Sequence, residues 1–241
     1  KPQPPPTAAA LKAAKVKGLR NFSVFCNHVL TPAAITNILE APEIREMEAV
    51  EIDGFLGPAH VSVVIGSQPY AYFAEEFRKP VVIAGFEPLD VMQSILMLIR
   101  QINAGRAEVE NQYTRAVTPQ GNEAAKALVA EVFELRRSFE WRGLGHVPYS
   151  AFRLRGEYAA YDAEHRFNMI PRKALENKAC DCPKILRGAA IPTDCKLFGK
   201  QCTPQTPLGS CMVSDEGACA AYYKYGRRRV APAPAVMEAA E

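Results

Sequence analysis

The first 136 residues alternate between two patterns of apolar and polar positions. Stretches with apolar residues three and four positions apart are typical of helices, and the short apolar runs between them are typical of strands. These patterns predict helices over about 7–17, 31–41, 58–66, 68–79, 87–105 and 121–134, and strands over 21–27, 49–57, 80–86 and 108–117. Repeated β–α units of this length predict an α/β fold, with an open, mostly parallel sheet and helices on both faces.

The pattern changes after about residue 136. Residues 137–170 alternate apolar and polar positions between Gly and Pro breaks, which predicts connecting strands and loops with a short helix at 157–167. Residues 171–226 are rich in Cys, Pro and Gly, and we expect little regular structure there before a last helix that Ser214 caps and that carries Cys219. The division is therefore an α/β domain over 1–136, a connection over 137–170, a Cys-rich module over 171–226 and a disordered tail over 227–241.

Composition and charge narrow the class of protein. The 241 residues are 48% hydrophobic and 23% charged, with a formal net charge of +3, which is too mild to indicate nucleic-acid binding. The most apolar stretch, 90–100, predicts a buried amphipathic helix, and no apolar run reaches the length of a membrane span. The sequence starts without Met and without the apolar core of a signal peptide. We therefore expect a piece of a larger, cytoplasmic protein.

Six of the seven cysteines fall within residues 179–223. In the cytosol, clustered cysteines bind metal or do redox chemistry more often than they form disulfides. Zinc sites usually draw ligands in close pairs, but from Cys182 onward the cysteines are separated by 12, 6, 8 and 7 residues. A four-iron cluster accepts ligands from separate loops, and glycines such as Gly209 and Gly217 would let backbone amides approach its sulfur atoms. The residues favour an iron–sulfur cluster and leave zinc or disulfides open.

Other candidates follow the predicted strands, where α/β proteins bind ligands. Glu87 and Asp90, in GFEPLD, are either capping acids of a helix or a ligand-facing carboxylate pair. His60, in GPAHVS, is either structural or a hydrogen-bond donor in the same cleft. Cys26 is predicted to be a buried thiol that behaves as a small hydrophobe. A Cys26 nucleophile with His28 as its base is the alternative.

The Cys-rich stretch CDCPKILRGAAIPTDCKLFGKQCTPQTPLGSCMVSDEGACAAYYKY resembles the C-terminal module of the HypD family, which acts in the maturation of nickel–iron hydrogenases. The stretches NFSVFCNHVLTPAAI, GFLGPAHVSVVIG, VVIAGFEPLD, VENQYTRAV and FEWRGLG extend the resemblance over about 6–225. It implies a maturation factor with a [4Fe-4S] cluster, a scaffold and redox partner more than a turnover enzyme, on which an Fe(CN)2CO group is assembled. The implied partners are HypC, HypE with HypF upstream, and the hydrogenase large-subunit precursor.

The resemblance also implies roles for individual residues. Four cysteines match the positions that recur most reliably in the family and are the expected cluster ligands: Cys182, Cys195, Cys202 and Cys219. Cys180 and Cys211 resemble a redox-active dithiol beside the cluster, and an exchange of Cys180 with Cys182 stays open. Glu87, Asp90 and His60 would lie toward an inter-domain cleft, where they would shape the iron site or bind HypC.

The chain departs from the family pattern upstream. The family stretches CGGHT and GPGCPVC, whose thiols hold the iron and its diatomic ligands, do not occur here, and GFETT is replaced by KPQ. We therefore expect a chain that corresponds to the C-terminal two-thirds of the family, without a first strand and without the iron-binding N-terminal domain. The alternative from another class is a structural zinc or disulfide-stabilised binding module without a redox role.

Overall fold

A computed structural model describes residues 3–40, 52–169 and 177–226 of the protein. The chain forms two compact units, Lys1–Lys173 and Ala174–Glu241. The predicted tail over 227–241 lies outside the described residues, as do positions 41 and 49–51 of the predicted helix and strand. The division at residues 136 and 170 stays a prediction. Within the described ranges, no helix is both long and apolar enough to cross a bilayer.

A three-stranded parallel sheet organises the first unit. Strands β1 (Phe55–Pro58), β2 (Val81–Ala84) and β3 (Val109–Asn111) are hydrogen-bonded in that order. The two pairings are parallel. The α/β fold with a parallel sheet is therefore confirmed.

Helices pack on this sheet because its central strand β2 is apolar and buried on both faces. The seven helices described in the first unit are α1 (Pro4–Val16), α2 (Thr31–Glu40), α3 (Ala59–Ile65), α4 (Ala71–Phe77), α5 (Pro88–Asn103), α6 (Glu123–Val132) and α7 (Ala163–Arg166). Val81 and Ile83 pack into a core with residues of α2, α3 and α4. Strand alternation turns Val82 to the opposite face, against which α5 packs.

A second core of the first unit joins α1 and α6 to short antiparallel pairs. Strand β4 (Phe133–Leu135) pairs with β7 (Phe152–Leu154), and β5 (Ser138–Trp141) pairs with β6 (Gly145–Pro148). Leu11 of α1 packs there with Val132, Phe133 and Tyr158. Strands β5, β6 and β7 and the short helix α7 lie in the region predicted to hold connecting strands and one helix, whereas β4 starts inside the helix predicted over 121–134.

Four local predictions are wrong. Residues 21–27 form an isolated bridge from Val24 to Asp162 rather than a strand. The strand predicted over 108–117 ends at Asn111, and a turn follows. Gly217, not Ser214, caps the last helix. Helix α5 buries polar residues and leaves most of its apolar side chains exposed, because its polar residues find hydrogen-bond partners on the sheet side.

The second unit is small and built around its cysteines. It contains helices α8 (Cys182–Leu186) and α9 (Ala218–Tyr225), and the 3₁₀-helices Pro192–Asp194 and Ser210–Met212. Its core combines five buried thiols with apolar residues such as Ile185 and Met212.

Candidate metal centre

The six cysteines of the Cys-rich stretch share one core. Cys180 is half-buried and packs against the other five, which are buried. The buried five are Cys182, Cys195, Cys202, Cys211 and Cys219. All of them are free thiols. Packing alone does not explain so many thiols in one small core, so they indicate a function.

Three sulfur atoms converge within this core. The Sγ atoms of Cys182, Cys211 and Cys219 all lie within 4.8 Å of one another. Cys182 begins α8, Cys211 lies in the 3₁₀-helix Ser210–Met212, and Cys219 lies in the first turn of α9. Three separate elements thus aim thiols at one point, and thiolates are the ligands that iron–sulfur clusters and structural zinc share. The donor set fits either group.

Backbone amides approach the sulfur atoms closely. A Cβ atom added to Gly209 would overlap the Sγ atoms of both Cys180 and Cys182, so only glycine fits there. The N–H of Cys211 donates to Cys182 Sγ at 3.5 Å, and the N–H of Leu208 donates to Cys202 Sγ at 3.4 Å. Amide–sulfur hydrogen bonds of this kind tune the potential of a bound cluster.

Hydrogen bonds among the thiols shift their pKa values in opposite directions. Hydrogen bonds from the thiols of Cys211 and Cys219 hold the pKa of Cys182 well below its ordinary value. The same hydrogen bonds raise the pKa of Cys219, and the bond to Cys182 raises the pKa of Cys211 to about 11. Burial raises the pKa of Cys180 to about 12.

The structure groups the predicted thiols differently from their assumed roles. Of the four expected ligands, Cys182 and Cys219 belong to the converging triad, whereas Cys195 and Cys202 lie in the same core outside it. Cys211, expected to be half of a dithiol, is the third member. The spacing of the cysteines along the chain does not predict this arrangement. The sequence feature that points to it is Gly209, two residues before Cys211. The ligand set stays a prediction.

The carboxylates after strand β2 form a network that the sequence did not predict. Asp90 is buried, and Arg115 donates from Nη1 to its Oδ1 at 3.0 Å and from Nη2 to its Oδ2 at 2.6 Å. Arg115 also contacts Glu87, and Gln112 donates to Asp90 Oδ1 at 3.0 Å. Arg115 and then Gln112 hold the pKa of Asp90 down at about 2. Asp90 thus joins the start of α5 to the segment after β3.

Glu87 and His60 lie at the same edge of the sheet and face solvent. His60 follows β1, and its ring lies 5.1 Å from the ring of Phe86, the residue before Glu87. The structure therefore brings the predicted cleft residues Glu87, Asp90 and His60 to neighbouring strand ends. Only Asp90 among them is buried.

Cys26 and His28 have the environment of core residues. The Cys26 thiol is fully buried and donates to the carbonyl oxygen of Phe152 at 3.3 Å. Burial raises its pKa, which disfavours the thiolate that a nucleophile needs. The His28 ring packs edge-on against Phe133 at 5.5 Å, and burial lowers its pKa.

Comparison with known proteins shows a match over nearly the whole chain. The HypD profile, described as "Hydrogenase formation hypA family", matches residues 3–226. The hydrogenase maturation factor HypD of Rhizobium leguminosarum is 69% identical over 93% of this chain and 58% of its own length. Those of Cupriavidus necator and Escherichia coli are 64% and 42% identical, over 95% and 92% of this chain and 60% and 58% of their own lengths. The chain thus spans less than two thirds of each of these relatives.

Proposed function

Because the chain belongs to the HypD family of hydrogenase maturation factors, we propose that it forms the thiol-rich part of a cytoplasmic scaffold for hydrogenase maturation. The cargo of that scaffold would be an iron atom that receives two cyanides and one carbon monoxide. HypC, HypE charged by HypF, and the hydrogenase large-subunit precursor would be the partners.

The second unit would hold a [4Fe-4S] cluster through four of its six clustered thiols. The observation that carries this proposal is a core with five buried thiols, to which Cys180 is added at its side, and in which three Sγ atoms lie within 4.8 Å of one another. The amide–sulfur contact at Cys202, a ligand in either assignment below, also supports it, because clusters are commonly hydrogen-bonded in this way. When bound, the cluster would supply electrons one at a time to an adjacent disulfide.

The two thiols that do not bind iron would form a redox dithiol. Reduction of a disulfide between them takes up two electrons and two protons and yields two thiols. The family resemblance assigns Cys182, Cys195, Cys202 and Cys219 to iron, with Cys180 and Cys211 as the dithiol. The direct contact between Cys182 and Cys211 supports the exchanged assignment, in which Cys180 binds iron and Cys182 pairs with Cys211.

The side chains of Asp90, Glu87 and His60 at the strand ends would have separate roles. Asp90 is bonded to Arg115 and is suited to fix the start of α5. Glu87 and His60 are exposed at the edge and are the residues suited to meet the iron site or HypC.

A second candidate function is a structural zinc site that serves only as a binding module. Three thiols within 4.8 Å match three of the four ligands that structural zinc takes. A redox role would then be absent.

Anaerobic purification of the chain, with analysis of iron, sulfide and zinc, tests both candidates. We expect roughly four irons and four sulfides per chain and a broad absorbance near about 400 nm. Cys195→Ser and Cys202→Ser should each lose the iron, because these cysteines are ligands in either assignment. Cys26 lies outside the thiol core, so Cys26→Ala should retain the iron. One zinc per chain without iron would overturn the cluster proposal in favour of the binding module.

A further inference from the structure

Helix α5 turns polar residues toward the sheet and apolar residues outward. Ser94 and Gln101 are fully buried, and Gln101 donates to Glu110 at 2.7 Å and accepts from the N–H of Glu108 at 2.9 Å. The packed side of the helix thus includes polar residues. Six apolar residues are exposed, together with Gln93, Arg100 and Asn103. We call these six the α5 stripe: Leu89, Met92, Ile95, Leu96, Ile99 and Ile102.

The spacing within the α5 stripe is that of a helix-packing seam. Leu89, Met92, Leu96 and Ile99 recur at intervals of three, four and three residues, as the a and d positions of a heptad do. Leu89 and Met92 are 77% and 65% exposed. Contiguous exposed apolar surface of this kind marks an interaction site, and heptad spacing specifies another helix as its occupant.

We propose that the α5 stripe pairs with the α5 stripe of a second copy of this chain, with the two helices antiparallel. A two-fold axis at the level of Ser94 sets Leu89 opposite Ile99 of the second copy, and Met92 opposite Leu96 of the second copy. Every seam position then meets an apolar one, as a self-complementary interface requires.

Charge favours the antiparallel arrangement over the parallel one. Arg100 is exposed near the C-terminal end of α5, and Glu87 is exposed just before its N-terminal end. Antiparallel pairing brings Arg100 within one residue of the level of Glu87 of the second copy, and it opposes the two helix dipoles. Parallel pairing would bring the two Arg100 side chains together, which is unfavourable.

The size of the stripe predicts a weak dimer. A helix of 16 residues is about 24 Å long, so one helix pair covers less than the roughly 800 Å² per partner of a standard interface. Leu56 adds apolar area beside the stripe, because it pairs with Val82 on the sheet face that α5 covers and is 42% exposed. We expect a dissociation constant in the micromolar range.

Analytical ultracentrifugation of the full chain, in thiol reductant and from about 1 to 100 μM, tests the proposal. We expect a reversible monomer–dimer equilibrium. Met92→Lys and Leu96→Glu should each weaken it by about tenfold or more, because each buries an unpaired charge. The double variant should recover most of the association, since each new ammonium then faces a new carboxylate across the two-fold axis. Val16→Glu, at an 81% exposed apolar position of α1, is the matched control and should change nothing.

Several outcomes would overturn the proposal. A chain that stays monomeric throughout, or that dimerises equally well with Leu96→Glu, does not use the stripe for self-association. Single variants that weaken the dimer without recovery in the double variant would exclude the antiparallel register. Circular dichroism checks that each variant folds, and Leu96→Gln replaces any variant that does not.

Discussion

The backbone N–H of Cys211 points at Cys182 Sγ across 3.5 Å, although 29 residues separate the two cysteines in the chain. Their Sγ atoms also belong to the same group within 4.8 Å. Cys180 instead has its thiol beside Cys182 and Gly209. Because a disulfide needs its two cysteines close together in space, we propose Cys182 as the partner of Cys211.

This contact predicts different phenotypes for two neighbouring cysteines. If Cys182 pairs with Cys211, Cys180 is a cluster ligand. Cys180→Ser should therefore lose most of its iron. Cys182→Ser should keep roughly four irons per chain but lose the oxidisable dithiol. Iron and sulfide analysis gives the first quantity, and thiol titration before and after mild oxidation gives the second. Cys211→Ser is the matched control and should behave as Cys182→Ser does. The reverse pattern, with iron lost only from Cys182→Ser, would return Cys182 to the ligand set.

Gly209 should be intolerant of a methyl group. Its substitution by Ala drives a Cβ atom into the sulfur atoms of Cys180 and Cys182, so the loop must shift. We expect Gly209→Ala to lower the free energy of unfolding of the metal-free chain by about 1–3 kcal/mol and to reduce iron content. Urea unfolding followed by circular dichroism measures the first effect. Gly156→Ala is the control, since nothing lies within 4 Å of its added Cβ. Equal stability of the two variants would contradict the expected overlap.

The sequence was sufficient for the elements whose partners are local. The apolar run of β2 and the helical period of α5 were both predictable, because each is set by neighbouring residues. Residues 21–27 were not, because Val24 is held by backbone bonds to residues far away in sequence, including the carbonyl oxygen of Tyr161. The direction that α5 faces also depended on distant partners, namely Glu110 and Arg115.

The candidate site was predictable as a group of thiols but not as an arrangement. Six cysteines within one small unit are expected to share its core with the apolar residues of the unit, such as Ile185 and Met212. Which of them touch depends on the path of the loop through Gly209, and spacing does not define that path. Arg115 escaped prediction because it lies 25 residues after Asp90 and no local pattern marks it.

Cys26 should resist alkylation in the folded protein. Its thiol is fully buried, and burial raises its pKa, so both access and thiolate content are low. We expect iodoacetamide at neutral pH to modify Cys26 at least about tenfold more slowly than in urea-unfolded chain. Mass spectrometry of tryptic peptides measures this, with the unfolded chain as the control. Rapid labelling of Cys26 in the folded state would revive it as a candidate nucleophile.

Asp90 should make the stability of the first unit depend on pH through its contact with Arg115. The pKa of Asp90 in the folded protein is about 2, below its ordinary value of 3.8, so the folded state favours the charged form. The contribution of Asp90 to stability is therefore fully present above about pH 4 and is lost as the pH falls through 2. Asp90→Asn should be less stable than the parent chain at pH 7, and the difference should shrink as the pH approaches 2.

Urea unfolding of the parent chain and Asp90→Asn at pH 7, 5, 3 and 2, both free of metal, measures that difference directly. The comparison at each pH cancels the titration of other groups, because the two chains share them. Asp53→Asn removes an exposed carboxylate outside the Arg115 network and is the matched control, so its difference from the parent should be small at every pH. A gap for Asp90→Asn that stays constant down to pH 2 would mean that Arg115 does not hold the charged form of Asp90. The buried carboxylate would then act through packing alone.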